Sequence, residues 1–154
     1  MLENIRIRLG KIGDANVIAK FNLAMALETE NKKLSQNVLL SGVRALLANP
    51  RLGFYIVAEC EGEILGSLMV TKEWSDWRNG IFWWIQSVYV RPDYRRKGIY
   101  RRLYSYVKLL SAEEANICGF RLYVEKDNEI AKKAYKVLGM SETHYEIYEE
   151  LRSN

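Results

Sequence analysis

One stretch of this chain limits the folds open to it more than any other. From Gln86 to Lys108 an apolar strand, a basic loop and a helix follow in direct succession. Trp83 to Val90 is rich in the aromatic and β-branched residues that suit a half-buried pleated surface. Pro92 ends the strand, because it has no N–H to give to a sheet ladder. A helix then opens near Gly98, with Ile99, Leu103, Val107 and Leu110 recurring every three or four residues on one face.

The loop between them reads Arg95-Arg96-Lys97-Gly98. A chain entering a helix presents backbone N–H groups without helical partners, at the positive end of the helix dipole. Three cations beside those donors, and a glycine that lets a ligand approach the backbone, describe a phosphate cradle. The other reading is a solvated basic turn before an ordinary helix, and one glycine does not choose between the two.

Charge is informative once located. From Arg91 to Lys108 there are seven basic residues (Arg91, Arg95, Arg96, Lys97, Arg101, Arg102, Lys108) against one acid, Asp93, a net of +6. The whole chain carries +4, so the remainder sums to −2. A nucleic-acid binder usually spreads cations along a face and interleaves them with stacking aromatics. An excess held in one loop and one helix suits a compact polyanion instead. The 154 residues suffice for one domain, 1–154, with a core of its own. No apolar run approaches the ~20 residues of a membrane span, and the first residues alternate like a strand rather than a signal peptide. A cytoplasmic protein is expected.

Cys60 and Cys118 lie far apart, without metal-ligand spacing. Cys60, in an apolar strand, reads as a small core residue. The single histidine, His144, falls in an alternating C-terminal stretch and cannot form a metal cluster alone. No metal is expected.

In order, the pattern predicts a strand at Ile5 to Leu9 and a turn and N-cap at Gly13-Asp14. A helix follows from Ala15 to Glu30 with Val17, Ile18, Phe21 and Met25 facing the core. A second helix, Gln36 to Ala48, carries Val38, Leu39, Val43, Leu46 and Leu47, and Asn49-Pro50 ends it. Strands at Gly53 to Glu61 and Glu63 to Glu73 meet at Glu61-Gly62, a hairpin turn signal. Arg78-Asn79-Gly80 suggests a second hairpin into Ile81 to Val90. Beyond the central helix come a strand at Phe120 to Glu125, a short helix at Asn128 to Leu138, and a closing strand around Thr143 to Tyr148. The order β-α-α-β-β-β-α-β-α-β gives an α/β fold: a mixed sheet with helices packed on it.

A second motif occupies Asp127 to Met140. Asp127 or Asn128 caps a helix whose Ile130, Ala134 and Leu138 face the core, and Gly139 supplies a left-handed residue to end it. Ala131 and Tyr135, four apart, share the side next to that stripe. By itself Tyr135 reads as a half-buried aromatic with a wet hydroxyl.

Together, Val90-Arg-Pro-Asp-Tyr-Arg-Arg-Lys-Gly-Ile-Tyr and the Asp127–Met140 motif resemble the GNAT superfamily of acetyl-CoA-dependent N-acetyltransferases over nearly the whole chain. Arg95 and Gly98 match the family's loop pattern, while Tyr100 stands where a small residue is usual. The resemblance implies the GNAT fold and acetyl-CoA as co-substrate. It implies that Arg95, Arg96, Lys97, Gly98, Ile99, Tyr100 and Arg101 border the diphosphate. It further implies that pantetheine adds to the strand edge at Val88, Tyr89 and Val90, with a backbone N–H near Val88 polarising the thioester carbonyl. Asn128 and Ala131 would line the pantetheine arm, and Tyr135 would donate a proton to the departing thiolate.

Many relatives carry a strand carboxylate as base; here that place holds Gln86 and Ser87, neither of which is a base at neutral pH. A water chain held by Gln86 is the expected proton route. Glu28, Glu30, Glu73 and Asp76 are the other carboxylates considered as bases. For the acceptor, Glu28 and Glu30 close the helix that borders the groove in the fold. Trp74 and Asp76 lie in a run with four Trp residues within eleven positions, where aromatic faces and carboxylates could recognise a cationic amine. Trp83 and Trp84, consecutive on a strand, point to opposite faces, so at most one lines a groove.

The function expected is acetyl transfer to a primary amine of a small molecule or peptide, with no nucleic acid or membrane partner and a homodimer as a plausible assembly. The alternatives are a non-catalytic acyl-CoA-binding sensor of the same fold, favoured by the missing strand carboxylate and Tyr100, and a nucleic-acid-binding regulator, suggested by a pI near 9.0.

Overall fold

The computed structural model describes residues 2–153. It divides after Tyr123 into two compact units. The first contains β1 (Ile5–Leu9), α1 (Ala15–Glu30), α2 (Gln36–Ala48), β2 (Gly53–Cys60), β3 (Glu63–Ser75), β4 (Gly80–Val90), α3 (Ile99–Ser111) and β5 (Ile117–Leu122). The second contains α4 (Glu129–Val137).

The strands form one mixed sheet in the order β1-β2-β3-β4-β5. Neighbours are antiparallel except β4 and β5, which run parallel. Sequence dictates the turns. Between β2 and β3, Glu61 and Gly62 both take positive φ (50° and 85°), as a two-residue hairpin turn that matches strand twist requires.

Both faces of the sheet bury helical stripes, two on one side and one on the other. On one side Ile18 and Phe21 of α1 and Val43 and Leu46 of α2 close over Tyr55, Val57 and Tyr89. On the other, Ile99, Leu103 and Val107 of α3 are buried. A chain of rings runs there from Tyr104 through Phe120 and Trp83 to Phe54, at centroid distances of 6.1, 6.5 and 5.1 Å. Each fully buried aliphatic side chain contributes roughly 1.5–3 kcal/mol. Asp14 stands just before α1, but its carboxylate does not cap the helix. It accepts two bonds from Arg8 (2.8 and 3.0 Å) and one from the Lys11 N–H (2.8 Å), and Arg8 also donates to Glu59.

Several expectations are corrected. The closing strand at Thr143 to Tyr148 is absent: residues 141–153 hold neither strand nor helix and are exposed throughout, and alternation makes a strand only where a ladder accepts it. His144 is therefore no strand residue. The strand expected at Phe120 to Glu125 is β5, three residues earlier, because its register begins at Ile117 opposite Ile81 and ends at Leu122 opposite Ile85. In α4, Ile130 is 75% exposed and Ala134 is exposed, whereas Ala131, Tyr135 and Leu138 are half-buried, so the inward face is rotated from the expected one. Val38 of α2 is exposed rather than core-facing, and Cys60 is half-buried. No described helix is long and apolar enough to cross a membrane.

Candidate active site

β4 carries the site's backbone. One edge is laddered to β3 from Gly80 to Val90, but on the other edge pairing with β5 stops at Ile85. Gln86 to Val90 therefore form a strand segment that β5 leaves uncovered. The same segment holds a bulge. Ser67 lies opposite Tyr89 and Met69 opposite Gln86, so the single residue Leu68 faces two, Ser87 and Val88. Ser87 takes φ 52°, a left-handed conformation that a serine adopts only under tertiary constraint.

Beyond Val90 the chain makes a 3-10 turn at Pro92–Tyr94 and then two left-handed residues, Arg96 (φ 62°) and Gly98 (φ 80°). A Cβ on Gly98 would meet nothing within 4 Å, so glycine is needed there for conformation and not for space. The α3 ladder starts with the Arg102 N–H donating to the Gly98 carbonyl, so the Ile99, Tyr100 and Arg101 N–H groups lie upstream of it. Left-handed residues running into a helix start gather amides into an anion-binding concavity. Arg96, Lys97 and Arg101 are exposed beside it, with the Lys97 Nζ 5.4 Å from the centre of the Tyr94 ring. Ile99 is buried and Tyr100 stacks on Tyr104 at 6.2 Å, so both offer a ligand only backbone. The Arg102 guanidinium is committed to the Ile5 carbonyl at 2.6 Å.

Arg95 behaves differently. Its Nε donates to the Val90 carbonyl (2.7 Å), its terminal nitrogen donates to Glu28 (2.8 Å), and its guanidinium lies 5.3 Å from the centre of the Tyr89 ring. The other Glu28 oxygen accepts the Tyr89 hydroxyl at 3.2 Å. Glu28, expected at the acceptor, thus has both oxygens engaged within the chain. Burial, and then the Glu28 charge, push the Tyr89 phenol above its ordinary value, so it stays a donor.

On the same sheet face as Tyr89, the Gln86 amide donates to the Thr71 hydroxyl at 2.6 Å. Farther along, Trp84 Nε1 and Arg121 both donate to Glu73 Oε1, each at 2.9 Å. Trp84 packs on Tyr123 at 4.6 Å, and the Arg121 guanidinium lies 3.7 Å from the centre of the Phe82 ring. Trp83 and Trp84 do point to opposite faces, and Trp84 is the one on this platform. Trp74 and Asp76 are exposed at the hairpin end, and Glu30 pairs with Lys32 at 3.5 Å. Thr71, Arg121 and Tyr123 escaped sequence reasoning. Counting back from the β3–β4 turn would have set Thr71 opposite Trp84, but the β5 residues depend on a parallel register that no local signal announces.

In the second unit Asn128 caps α4, its Oδ1 accepting the Ala131 N–H at 3.1 Å, and Gly139 is left-handed (φ 98°). Tyr135 is half-buried, and that burial pushes its phenol above the ordinary 10.0. Among the described residues no group of three or more His, Cys, Asp or Glu is placed to hold a metal ion.

The family model for the GNAT acetyltransferase family matches residues 22–140. The chain belongs to the GNAT acetyltransferase family. Membership indicates acyl transfer. A crystal structure described as a possible acetyltransferase from Clostridium difficile 630 is 48% identical, with a TM-score of 0.90 over 97% of this chain and 99% of that one. Two more distant structures share the GNAT fold. One is an aminoglycoside acetyltransferase from an uncultured soil metagenomic sample, in complex with sisomicin (18% identity, TM-score 0.78, covering 97% and 98%). The other is a predicted acetyltransferase with acetyl-CoA from Clostridium acetobutylicum (19%, 0.76, covering 95% and 96%). No curated protein matches.

Proposed function

We propose that this GNAT acetyltransferase, acting in the cytoplasm as a single domain, moves an acetyl group from acetyl-CoA to a primary amine of a small molecule or peptide. The observation that carries the reading is the uncovered segment Gln86 to Val90 leading directly into a loop with two left-handed residues. Extended backbone beside an amide concavity fits a ligand with an amide-bearing arm and a diphosphate.

When bound, acetyl-CoA supplies an acetyl group already activated as a thioester. The chain's own groups do the rest. Backbone of Val88, Tyr89 and Val90 holds the arm, assisted by Asn128 and Ala131. Amides from Arg95 through Arg101, with the Arg96, Lys97 and Arg101 charges, hold the diphosphate. The Tyr135 phenol, kept protonated by its burial, serves as proton donor. Gln86, whose Nε2 is occupied by Thr71, keeps its carbonyl oxygen as an acceptor for a water that would carry the amine's proton away. Trp74, Asp76 and Glu30 border the acceptor. A homodimer is proposed on the strength of exposed apolar residues such as Trp77 and Tyr148, 87% and 91% exposed.

The test is calorimetry with acetyl-CoA followed by a panel of primary amines, reading free thiol. Heat of binding and thiol release with at least one amine are expected; no heat at millimolar ligand removes the proposal. One observation favours a second reading: β4 presents Gln86 and Ser87 where a carboxylate base would stand, as a sensor without transfer would. Binding without thiol release from any amine would select it.

A further inference from the structure

Glu28 sits in the last turn of α1, where the helix dipole disfavours a carboxylate and where no basic residue of α1 offsets it. The offset comes from elsewhere in the fold. Arg95 lies 67 residues away in the chain and supplies the cation, while Tyr89 supplies a hydroxyl. Tyr89 is itself only 7% exposed and packs on Phe21 of α1 at 4.9 Å, so this arm cannot swing without opening the core. Arg95 is held in three directions at once: the Val90 carbonyl, the Glu28 carboxylate and the Tyr89 ring.

From this geometry we infer that Glu28 is a positioning residue of the transfer site. Through Tyr89 and Arg95 it fixes the C-terminal end of α1 against the uncovered end of β4, and Arg95 is the second arm of that clasp rather than a phosphate ligand. The inference rests on the acetyl-CoA reading above and deepens it. The Arg95 charge is already matched by Glu28, whereas no carboxylate partner is seen for Arg96, Lys97 or Arg101 among the described residues. Phosphate attraction therefore falls to those three. The clasp decides how accurately the α1 end, and the groove it borders, meet the reacting edge, where small misplacements cost large factors in rate.

The two roles for Arg95 predict different effects on acetyl-CoA affinity. Acetyl-CoA affinity is measured by calorimetry, and amine KM and kcat by thiol release, in the wild type and in Glu28→Gln, Tyr89→Phe, Arg95→Gln and Arg96→Gln. The expected result is that Glu28→Gln and Arg95→Gln leave acetyl-CoA affinity within about threefold, while each lowers kcat/KM for the amine by about tenfold, without adding in the double variant. Tyr89→Phe should do the same more weakly. Arg96→Gln should weaken acetyl-CoA by about fivefold and flatten its salt dependence. If Arg95→Gln weakens acetyl-CoA as Arg96→Gln does, and Glu28→Gln tightens it, Arg95 is a phosphate ligand and the inference is overturned. A wild type that binds no acetyl-CoA would defeat the functional reading alone. The clasp is then judged by amide exchange over residues 24–31, which must quicken in Glu28→Gln and Arg95→Gln alike; unchanged exchange refutes it.

Discussion

Trp84 Nε1 lies 2.9 Å from Glu73 Oε1, a bond that fastens β4 to β3 across the face of their hairpin. Arg121 of β5 donates to the same oxygen, so one carboxylate ties three strands together just short of the point where β4 and β5 part. Glu73→Ala removes both bonds. Because the carboxylate is partly exposed, the expected cost is modest, about 1 kcal/mol. Glu73→Gln, which keeps an oxygen for Trp84 but loses the charge facing Arg121, should cost less. Urea unfolding checks the order, and a red-shifted tryptophan emission in Glu73→Ala would report the loosened Trp84.

Asp14 predicts acid sensitivity. Burial pushes its carboxyl upward, but the Arg8 hydrogen bonds, the Lys11 N–H and the neighbouring charges outweigh this and hold it below the ordinary 3.8. The folded state thus favours the ionised form. Its contribution to stability is fully present above about pH 4 and is lost as pH falls through the lower folded value. The stability gap between wild type and Asp14→Asn, from urea midpoints, should stay constant from pH 7 to about pH 4 and close below it. A gap that closes between pH 7 and 5 would contradict the assignment.

Tyr135→Phe should lower kcat by about 10²–10⁴ while barely moving acetyl-CoA affinity, as expected for loss of a proton donor. Since the Tyr135 phenol lies above 10.0, it remains protonated across the neutral range. The wild-type rate should show no alkaline decline below pH 10 that disappears in Tyr135→Phe. Such a limb would mean that the Tyr135 phenol titrates below its ordinary value, against the effect of its burial.

Gly98→Ala is expected to cost about 1–2 kcal/mol, for conformation alone, since the added methyl finds open space at φ 80°. Relief of the strain by moving the loop should weaken acetyl-CoA binding in parallel. Gly98→Asn, which tolerates the left-handed region, should lie between the two. Thermal unfolding and calorimetry on the three proteins test the order.

Local pattern carried much of this molecule. The bounds of α1 follow from its apolar period, those of α2 from its period and the Asn49-Pro50 stop, and the turn at Glu61-Gly62 from its glycine. α3 follows from a stripe of Ile99, Leu103 and Val107 that is buried as expected. What escaped is non-local. The start of β5 depends on which residue of β4 it meets. Exposed Ile130 and half-buried Ala131 show that an amphipathic period gives a face but not its exact rotation. Glu28 looked like a free carboxylate at a helix end, because its partners lie 61 and 67 residues away. Nothing in Gln86-Ser87-Val88 announces a bulge.

That bulge has a consequence for how β4 can be edited. Gln86 and Tyr89 are three apart, a spacing that in an uninterrupted strand sends side chains to opposite sides, yet both lie on the α1 side here. Excising Ser87 would leave Gln86 and Tyr89 two apart, the spacing that an uninterrupted strand keeps on one side, so the Tyr89 ring would stay against Phe21 while the bulge and its left-handed residue disappeared. A single-codon deletion there would thus straighten the strand and spare its facing, whereas the same deletion anywhere in the regular part of β4 would invert everything beyond it.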